Sequence, residues 1–115
     1  ADVLVHPSLH ESGGLVCLEA MAARRPVLCL DWGGPAVQVA DGTGIRVPVR
    51  DTAQVVSELA AAMQRLAGSA ALRDELGRKG REYVEAKYCW PGKVAFYRSL
   101  YAEAVQRAKR ERANA

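Results

Sequence analysis

The first thirty residues alternate between two kinds of apolar run. Val3-Leu4-Val5 and Val27-Leu28-Cys29-Leu30 are short and unbroken, the pattern of strands buried on both faces in a parallel sheet. Between them come Ser12-Gly13-Gly14 and a longer apolar segment over residues 15–24, which predicts a helix stopped by Pro26. His6-Pro7-Ser8 closes the first strand, since proline disfavours helix at the residue before it. Strand, glycine loop, helix and strand bring the chain back parallel to itself. The fold expected is therefore α/β, a partial Rossmann-like domain with a short parallel sheet followed by several helices.

Asp31-Trp32-Gly33-Gly34-Pro35 ends the second strand, and a short helical turn is expected over residues 36–40. Asp41-Gly42-Thr43-Gly44 reads as a turn, leading to a third strand, Ile45-Arg46-Val47, ended by Pro48. Asp51 with Gln54 resembles a capping box, and Val55, Val56, Leu59, Met63 and Leu66 mark one face of the helix that follows, ended by Gly68. Ser69 is placed to cap another helix carrying Leu72, Leu76, Tyr83 and Val84, although Gly77 and Gly80 weaken it. Pro91 suits the first turn of a last helix with Val94, Tyr97, Leu100, Tyr101, Ala104 and Val105. The organisation expected is one partial domain, with an α/β segment over residues 1–50 and a helical segment over 51–115. Three strands make a thin sheet, and the chain opens on a strand with no lead-in. Both features suggest a piece of a longer protein.

Composition excludes several classes. Half of the 115 residues are hydrophobic, enough for a packed core. The net charge of +3 calls for no nucleic-acid partner. Much of it lies in Arg107, Lys109, Arg110 and Arg112, which read as a solvated helix end, with contact to an anionic membrane as the lesser alternative. Cys17, Cys29 and Cys89 are odd in number and form no C-x-x-C pair, against a disulfide framework or a structural zinc site. A reducing cytoplasm fits. His6 and His10 are not ligand-like, because Pro7 breaks any helical spacing between them. No apolar run reaches the roughly 18 residues of a membrane span.

The glycine loop has the form of a phosphate site. The first turn of a helix leaves amides unpaired and adds partial positive charge, and glycine permits close approach. Gly13, Gly14, Leu15 and Val16 would supply those amides. The loop follows the carboxyl end of a strand, where open α/β sheets bind ligands. Glu19 is the odd member of the apolar helix. It lies four residues after Leu15, on nearly the same face, its backbone about 7 Å beyond the helix start. A carboxylate there can accept two hydrogen bonds from a ribose diol. Glu11 stands ahead of the glycines, on the other side of the phosphate position. Ribose on Glu19, diphosphate on the helix start and a further group near Glu11 would outline a nucleotide diphosphate sugar. The plainer alternatives are a salt bridge from Glu19 to Arg24 or Arg46, and a Glu11 that only caps the loop or pairs with His10. Neither carboxylate suits a glycosidase pair, which must face one bond across about 5–10 Å.

The stretch HPSLHESGGLVCLEAMAARRPVLCLDWGGPAVQVADGTGIRVPVRD resembles the carboxyl-terminal domain of family 4 glycosyltransferases, of GT-B fold. Glu11 and Glu19 stand at that family's Glu-x7-Glu spacing, followed by Ala20-Met21-Ala22, Pro26-Val27, Gly33-Gly34-Pro35 and Asp41-Gly42. The resemblance is close over residues 1–51 and less specific beyond. It implies a retaining transfer of sugar from a nucleotide diphosphate sugar to an acceptor hydroxyl, on a saccharide or lipid-linked saccharide. No metal or other cofactor is implied. In this reading Glu19 contacts the ribose, residues 13–16 hold the diphosphate with Ser12 beside them, and Glu11 is the catalytic residue near the donor sugar. The implied location is cytoplasmic, with peripheral contact at the inner face of the membrane as an extension, and polysaccharide synthesis is an implied setting. The final helix would cross toward an amino-terminal domain that binds acceptor, and without the rest of the enzyme the fragment is expected to be inactive. Four positions depart from the family pattern. Ser12 replaces a glycine, Gly13 a phenylalanine, Arg24 a glycine, and Gln38 a frequent glutamate. The alternatives are a nucleotide-sugar 2-epimerase of the same fold, a non-catalytic domain that binds nucleotide or a protein partner, and a plain flavodoxin-like module, which the two glutamates oppose.

Overall fold

The structure is a computed structural model describing residues 1–113. Three strands, β1 (Leu4–His6), β2 (Val27–Leu30) and β3 (Ile45–Val47), alternate with helices α1 (Leu15–Ala22) and α2 (Gly33–Gln38). Three further helices follow, α3 (Thr52–Gly68), α4 (Ala70–Tyr88) and α5 (Trp90–Ala113). The sheet is parallel in the order β1-β2-β3, with Leu4 opposite Val27, His6 opposite Cys29, Leu28 opposite Ile45 and Leu30 opposite Val47. The α/β class read from the alternating runs is thus what the chain forms.

All four residues of the central strand β2 are buried, as its unbroken apolar run requires of a strand covered on both faces. Leu28 and Leu30 pack in a core with Val47 of β3, Ala62 and Leu66 of α3 and Leu76 of α4. Strand alternation turns Val27 and Cys29 to the other side, where Cys17 and Met21 of α1 are also fully buried. The face of α3 differs in part from its sequence reading. Val56 and Met63 are exposed, while Ala62 and Leu66 are buried. Val55, Leu59, Ala62 and Leu66 follow the helical period along one stripe, and Val56 and Met63 fall on its flank.

The caps follow local chemistry. Asp51 Oδ1 accepts from the Gln54 amide at 2.9 Å. The Gln54 side chain closes the box one residue early, accepting from the Arg50 amide and donating to the Pro48 carbonyl. Ser69 Oγ accepts from the Leu72 amide at 3.1 Å, starting α4. Helix α1 ends at Ala22, earlier than residue 24. Arg24 adopts a left-handed φ of 57°, and the bonds Arg24 N to Met21 O and Arg25 N to Ala20 O complete a Schellman turn before Pro26 is reached.

Gly77 and Gly80 weaken α4 as an isolated helix but permit its packing. A Cβ on Gly77 would lie 2.3 Å from the Arg24 carbonyl oxygen, and one on Gly80 would lie 3.1 Å from the Thr43 carbonyl and 3.3 Å from Met21 Cγ. Helix α4 therefore crosses just before β2 and β3 begin, at the amino ends of the strands.

Residues 1–84 form one compact unit and the remaining residues a second. The second holds the last turn of α4 and α5. Helix α5 buries none of its side chains. The expected stripe Val94, Tyr97, Leu100, Tyr101 and Val105 is exposed, as are Trp90 and Phe96. Phe96 and Tyr97 meet edge to face at 5.8 Å, and Lys93 Nζ lies 5.5 Å from the Tyr88 ring. In the basic tail Arg107 pairs with Glu111 at 3.0 Å. No helix among the described residues is long and apolar enough to cross a membrane.

Candidate functional site

The carboxyl ends of β1 and β2 open into two loops. After β1 the chain runs through Pro7 to Gly14 and enters α1; after β2 it turns at Asp31 and Trp32 and enters α2. The first loop is joined to α2. The Gly34 amide donates to the Glu11 carbonyl at 3.0 Å, and the Gln38 Nε2 donates to the Gly13 carbonyl. A Cβ on Gly34 would sit 2.5 Å from the Ser12 carbonyl oxygen, so only glycine allows this approach. Gly14, the residue before α1, has a φ of 58°, and a Cβ there would also press on Gln38 and Pro35. The Gly33-Gly34-Pro35 motif thus buttresses the Glu11 loop. A glutamate at position 38 could not donate this hydrogen bond, and Gln38 can.

Glu11 turns back onto its own loop. Its Oε1 accepts from the amides of Gly13 at 2.9 Å and Gly14 at 2.8 Å. The Gly14 amide, then the Gly13 amide, hold the carboxyl below the usual carboxylate range, with the field of His6 adding a little. Its other oxygen, Oε2, lies 3.8 Å from His6 Nε2. The histidine beside Glu11 is therefore His6, and His10 is exposed. This geometry divides the helix tip in two. Of the four amides assigned to an anion, those of Gly13 and Gly14 are engaged by the chain's own carboxylate. The amides of Leu15 and Val16, in the first turn of α1, have no intrahelical acceptor, and both side chains are exposed. Ser12 is exposed on the loop.

Glu19 is exposed, one turn along α1 from Leu15. Neither salt bridge considered for it forms. Arg46 instead joins Asp31 at 3.3 Å, Asp41, and the Ala36 carbonyl at 2.8 Å. Arg24 is taken up in the turn after α1. The Glu19 backbone carbonyl accepts from the Ala23 amide, but its side chain makes no hydrogen bond or ion pair among the described residues, so its carboxylate is open to a ligand. Beneath the loop, burial and then the charge on Glu11 push the Cys17 thiol up to about 11. Burial, then Cys17, push Cys29 up to about 12. Neither is a thiolate near neutral pH, and both serve as core. Among the described residues no group of three or more His, Cys, Asp or Glu could hold a metal ion.

A cleft of about 310 Å³ adjoins the strand ends, lined by Pro7, Leu9, Leu30, Val49, Arg50 and Thr52, among others. A cavity of about 350 Å³ beside β1, lined by Val3, Val5, Met63 and Leu66, touches none of the candidate residues. Sequence reasoning missed His6 and Gln38 as parts of the site. For Gln38 the departure from the family's glutamate was the available signal. For His6 there was none, because its proximity to Glu11 depends on how the loop folds back.

Known proteins match the chain over this same region. A D-inositol 3-phosphate glycosyltransferase of Streptomyces bingchenggensis is 38% identical over 97% of the chain and 24% of its own length. A trehalose synthase of Rubrobacter xylanophilus is 37% identical over 79% of the chain and 20% of its own length. The chain thus spans about a quarter of the length of the curated relatives it matches. Among solved structures, a sucrose-phosphate synthase from Thermosynechococcus elongatus superposes with a TM-score of 0.73 at 38% identity, covering 90% of the chain and 26% of that protein. TarM shares the fold, with a TM-score of 0.68 at 24% identity, over 87% of the chain and 20% of its own. Residues 1–83 match the family described as glycosyl transferases group 1, and the chain belongs to that family.

Proposed function

We propose that the chain is the donor-binding part of a retaining, family 4 glycosyltransferase that moves a sugar from a nucleotide diphosphate sugar to an acceptor hydroxyl. The observation that carries this is the pairing of an exposed, unpartnered Glu19 with the uncapped amides of Leu15 and Val16 one turn before it on α1. In this reading Glu19 accepts from both hydroxyls of the ribose. The helix start holds the diphosphate and stabilises the charge that develops on it as the sugar departs. Glu11 orients the sugar and favours positive charge at the anomeric carbon, without acting as a nucleophile. To do so it must leave the Gly13 and Gly14 amides, which then become available to phosphate. The acceptor, a saccharide or lipid-linked saccharide, is bound by parts of the longer protein, and the 115 residues alone do not turn over. The reaction needs no metal in this proposal, and it takes place in the cytoplasm.

One observation favours a second reading, a domain that binds nucleotide without catalysis: Glu11 already satisfies its own loop. Titration calorimetry with UDP-, GDP- and ADP-sugars tests the first reading. Wild-type protein should bind one of them. Glu19→Ala should weaken that binding by about 10- to 100-fold, the worth of one or two hydrogen bonds to a charged acceptor. Unchanged affinity in Glu19→Ala would remove the proposed ribose contact. Binding that survives Glu19→Ala and needs no nucleotide moiety would point to a partner-binding domain.

A further inference from the structure

His6 has no part in the donor contacts proposed above, yet its position is particular. It is the last residue of β1, and its side chain is about four-fifths buried, with 21% exposed. Its Nε2 is fully buried and has no hydrogen-bond partner. A buried polar nitrogen without a partner is costly, on the order of 1–3 kcal/mol, and is rare enough to require a reason. Glu11 Oε2 lies 3.8 Å from it, outside hydrogen-bond range. The other oxygen of the same carboxylate is held by Gly13 and Gly14.

We propose that His6 is a positioning residue for Glu11, receiving its carboxylate when an anionic ligand takes over the Gly13 and Gly14 amides. The inference rests on the donor reading above. In the resting state Glu11 is a built-in anion on the loop. A ligand phosphate competes for the same two amides, and two anions cannot share them. The displaced carboxylate needs a donor, and among the described residues His6 Nε2 is a buried, unpartnered nitrogen 3.8 Å from it. A shift of about 1 Å would bring 3.8 Å to an ordinary hydrogen-bond length. Nothing covalent changes. One set of hydrogen bonds is exchanged for another, and Glu11 is delivered to a defined place beside the incoming sugar.

The exchange couples binding to a proton. A protonated imidazole attracts the carboxylate more strongly than a neutral one, so the liganded state favours His6 with its proton on. By linkage the complex takes up a proton, and affinity rises as pH falls. The other titratable groups around His6 are few. Cys29 is its register partner on β2, Cys17 of α1 lies in the field of Glu11, and Arg46 and Asp31 lie beyond Cys29. His10 is exposed on the loop. Both thiols stay neutral across the range concerned.

The test uses the whole protein, labelled with 15N-glycine, and two variants, His6→Gln and His6→Phe. The glutamine can donate to Glu11 but cannot titrate, which keeps the experiment informative should His6→Phe fail to fold. In unliganded wild type the Gly13 and Gly14 amide resonances should show an inflection shared with the His6 ring signals, absent in His6→Gln. Calorimetry with UDP-, GDP- and ADP-glucose, whose diphosphates do not titrate between pH 6 and 8, should show proton uptake in buffers of differing ionisation enthalpy. Wild-type affinity should rise by up to about tenfold per unit fall in pH for one coupled proton, and His6→Gln should bind with a flat profile. A glycine inflection missing in wild type, or identical pH profiles for wild type and His6→Gln, overturns the role of His6 and leaves the donor reading intact. Failure of wild type to bind any of the three donors overturns the donor reading and the exchange together.

Discussion

The amino ends and the carboxyl ends of the strands are built on opposite plans. At the amino ends α4 lies against the chain just before β2 and β3, with Gly77 on the Arg24 carbonyl and Gly80 on Thr43 and Met21. Contact there is backbone to helix and close, and the small cleft beside it, about 150 Å³, is lined by Asp2, Arg24, Arg25, Arg73 and Asp74 among others. At the carboxyl ends two glycine loops are tied by single hydrogen bonds, Gly34 to Glu11 and Gln38 to Gly13. Two carboxylates, Glu11 and Glu19, stand there with their surroundings only partly satisfied. One end is closed by shape and the other is left open to exchange. The same residue type, glycine, serves both, removing a side chain for packing in one place and for backbone approach in the other.

The largest effect is expected at the closed end. Alanine is the better helix former by about 1 kcal/mol, so Gly77→Ala would stabilise an unencumbered α4. With its Cβ 2.3 Å from the Arg24 carbonyl oxygen, the substitution should instead cost about 2 kcal/mol, the scale of overpacking. Urea unfolding reads this directly, and a midpoint at or above wild type would show that α4 does not seat there. Donor affinity of the folded fraction should not change. Gly34→Ala, at the open end, should cost less, about 1 kcal/mol, because loops yield more readily than a helix on a sheet. It should nonetheless weaken donor binding, since the Cβ drives the Ser12 carbonyl and the Gly13 backbone away. If both variants lost stability and neither lost affinity, the division between the two ends would fail.

Arg24 lies at the border of the closed end and shows what the sequence made legible and what it hid. The strand–helix–strand unit, the α3 and α4 caps and the loop at the strand ends followed from local runs, because burial on both faces and capping chemistry are properties of neighbouring residues. The end of α1 did not. Pro26 was the visible stop, but the chain turns at Arg24, in a left-handed conformation that an arginine gives no sign of. The comparison with a family glycine at that position marked the residue without supplying the reason. Likewise Ala62 is buried where Met63 is exposed, since the helical period rather than side-chain size decides burial. The direction of Glu11 and its nearness to His6 depend on how one loop folds on itself and on another loop over twenty residues away, and no local pattern encodes that. Arg24→Gly should relieve the left-handed strain, a gain of about 0.5–1 kcal/mol after the added freedom of the unfolded chain is counted. A thermal midpoint below wild type would mean that the arginine's own contacts outweigh its backbone.

The smallest expected effect separates the two ends by pH. Glu11 has its carboxyl held below the ordinary 4.5 by the Gly14 and Gly13 amides. A group with a depressed folded value binds its proton more readily in the unfolded chain, so it contributes stability above 4.5 that is lost as pH falls through the lower folded value. Glu11→Gln removes that contribution, and the stability difference between variant and wild type should shrink as pH is lowered from 6 toward 3. Glu75, on α4, is also depressed, by its hydrogen bond to Lys79. Its share is common to both proteins and cancels in the difference. Gly77→Ala carries no such proton, so its deficit should run parallel to wild type across the same range. A Glu11→Gln profile that also runs parallel would mean that the Gly13 and Gly14 amides hold the neutral and charged forms equally, and the resting carboxylate would then offer no barrier for a phosphate to displace.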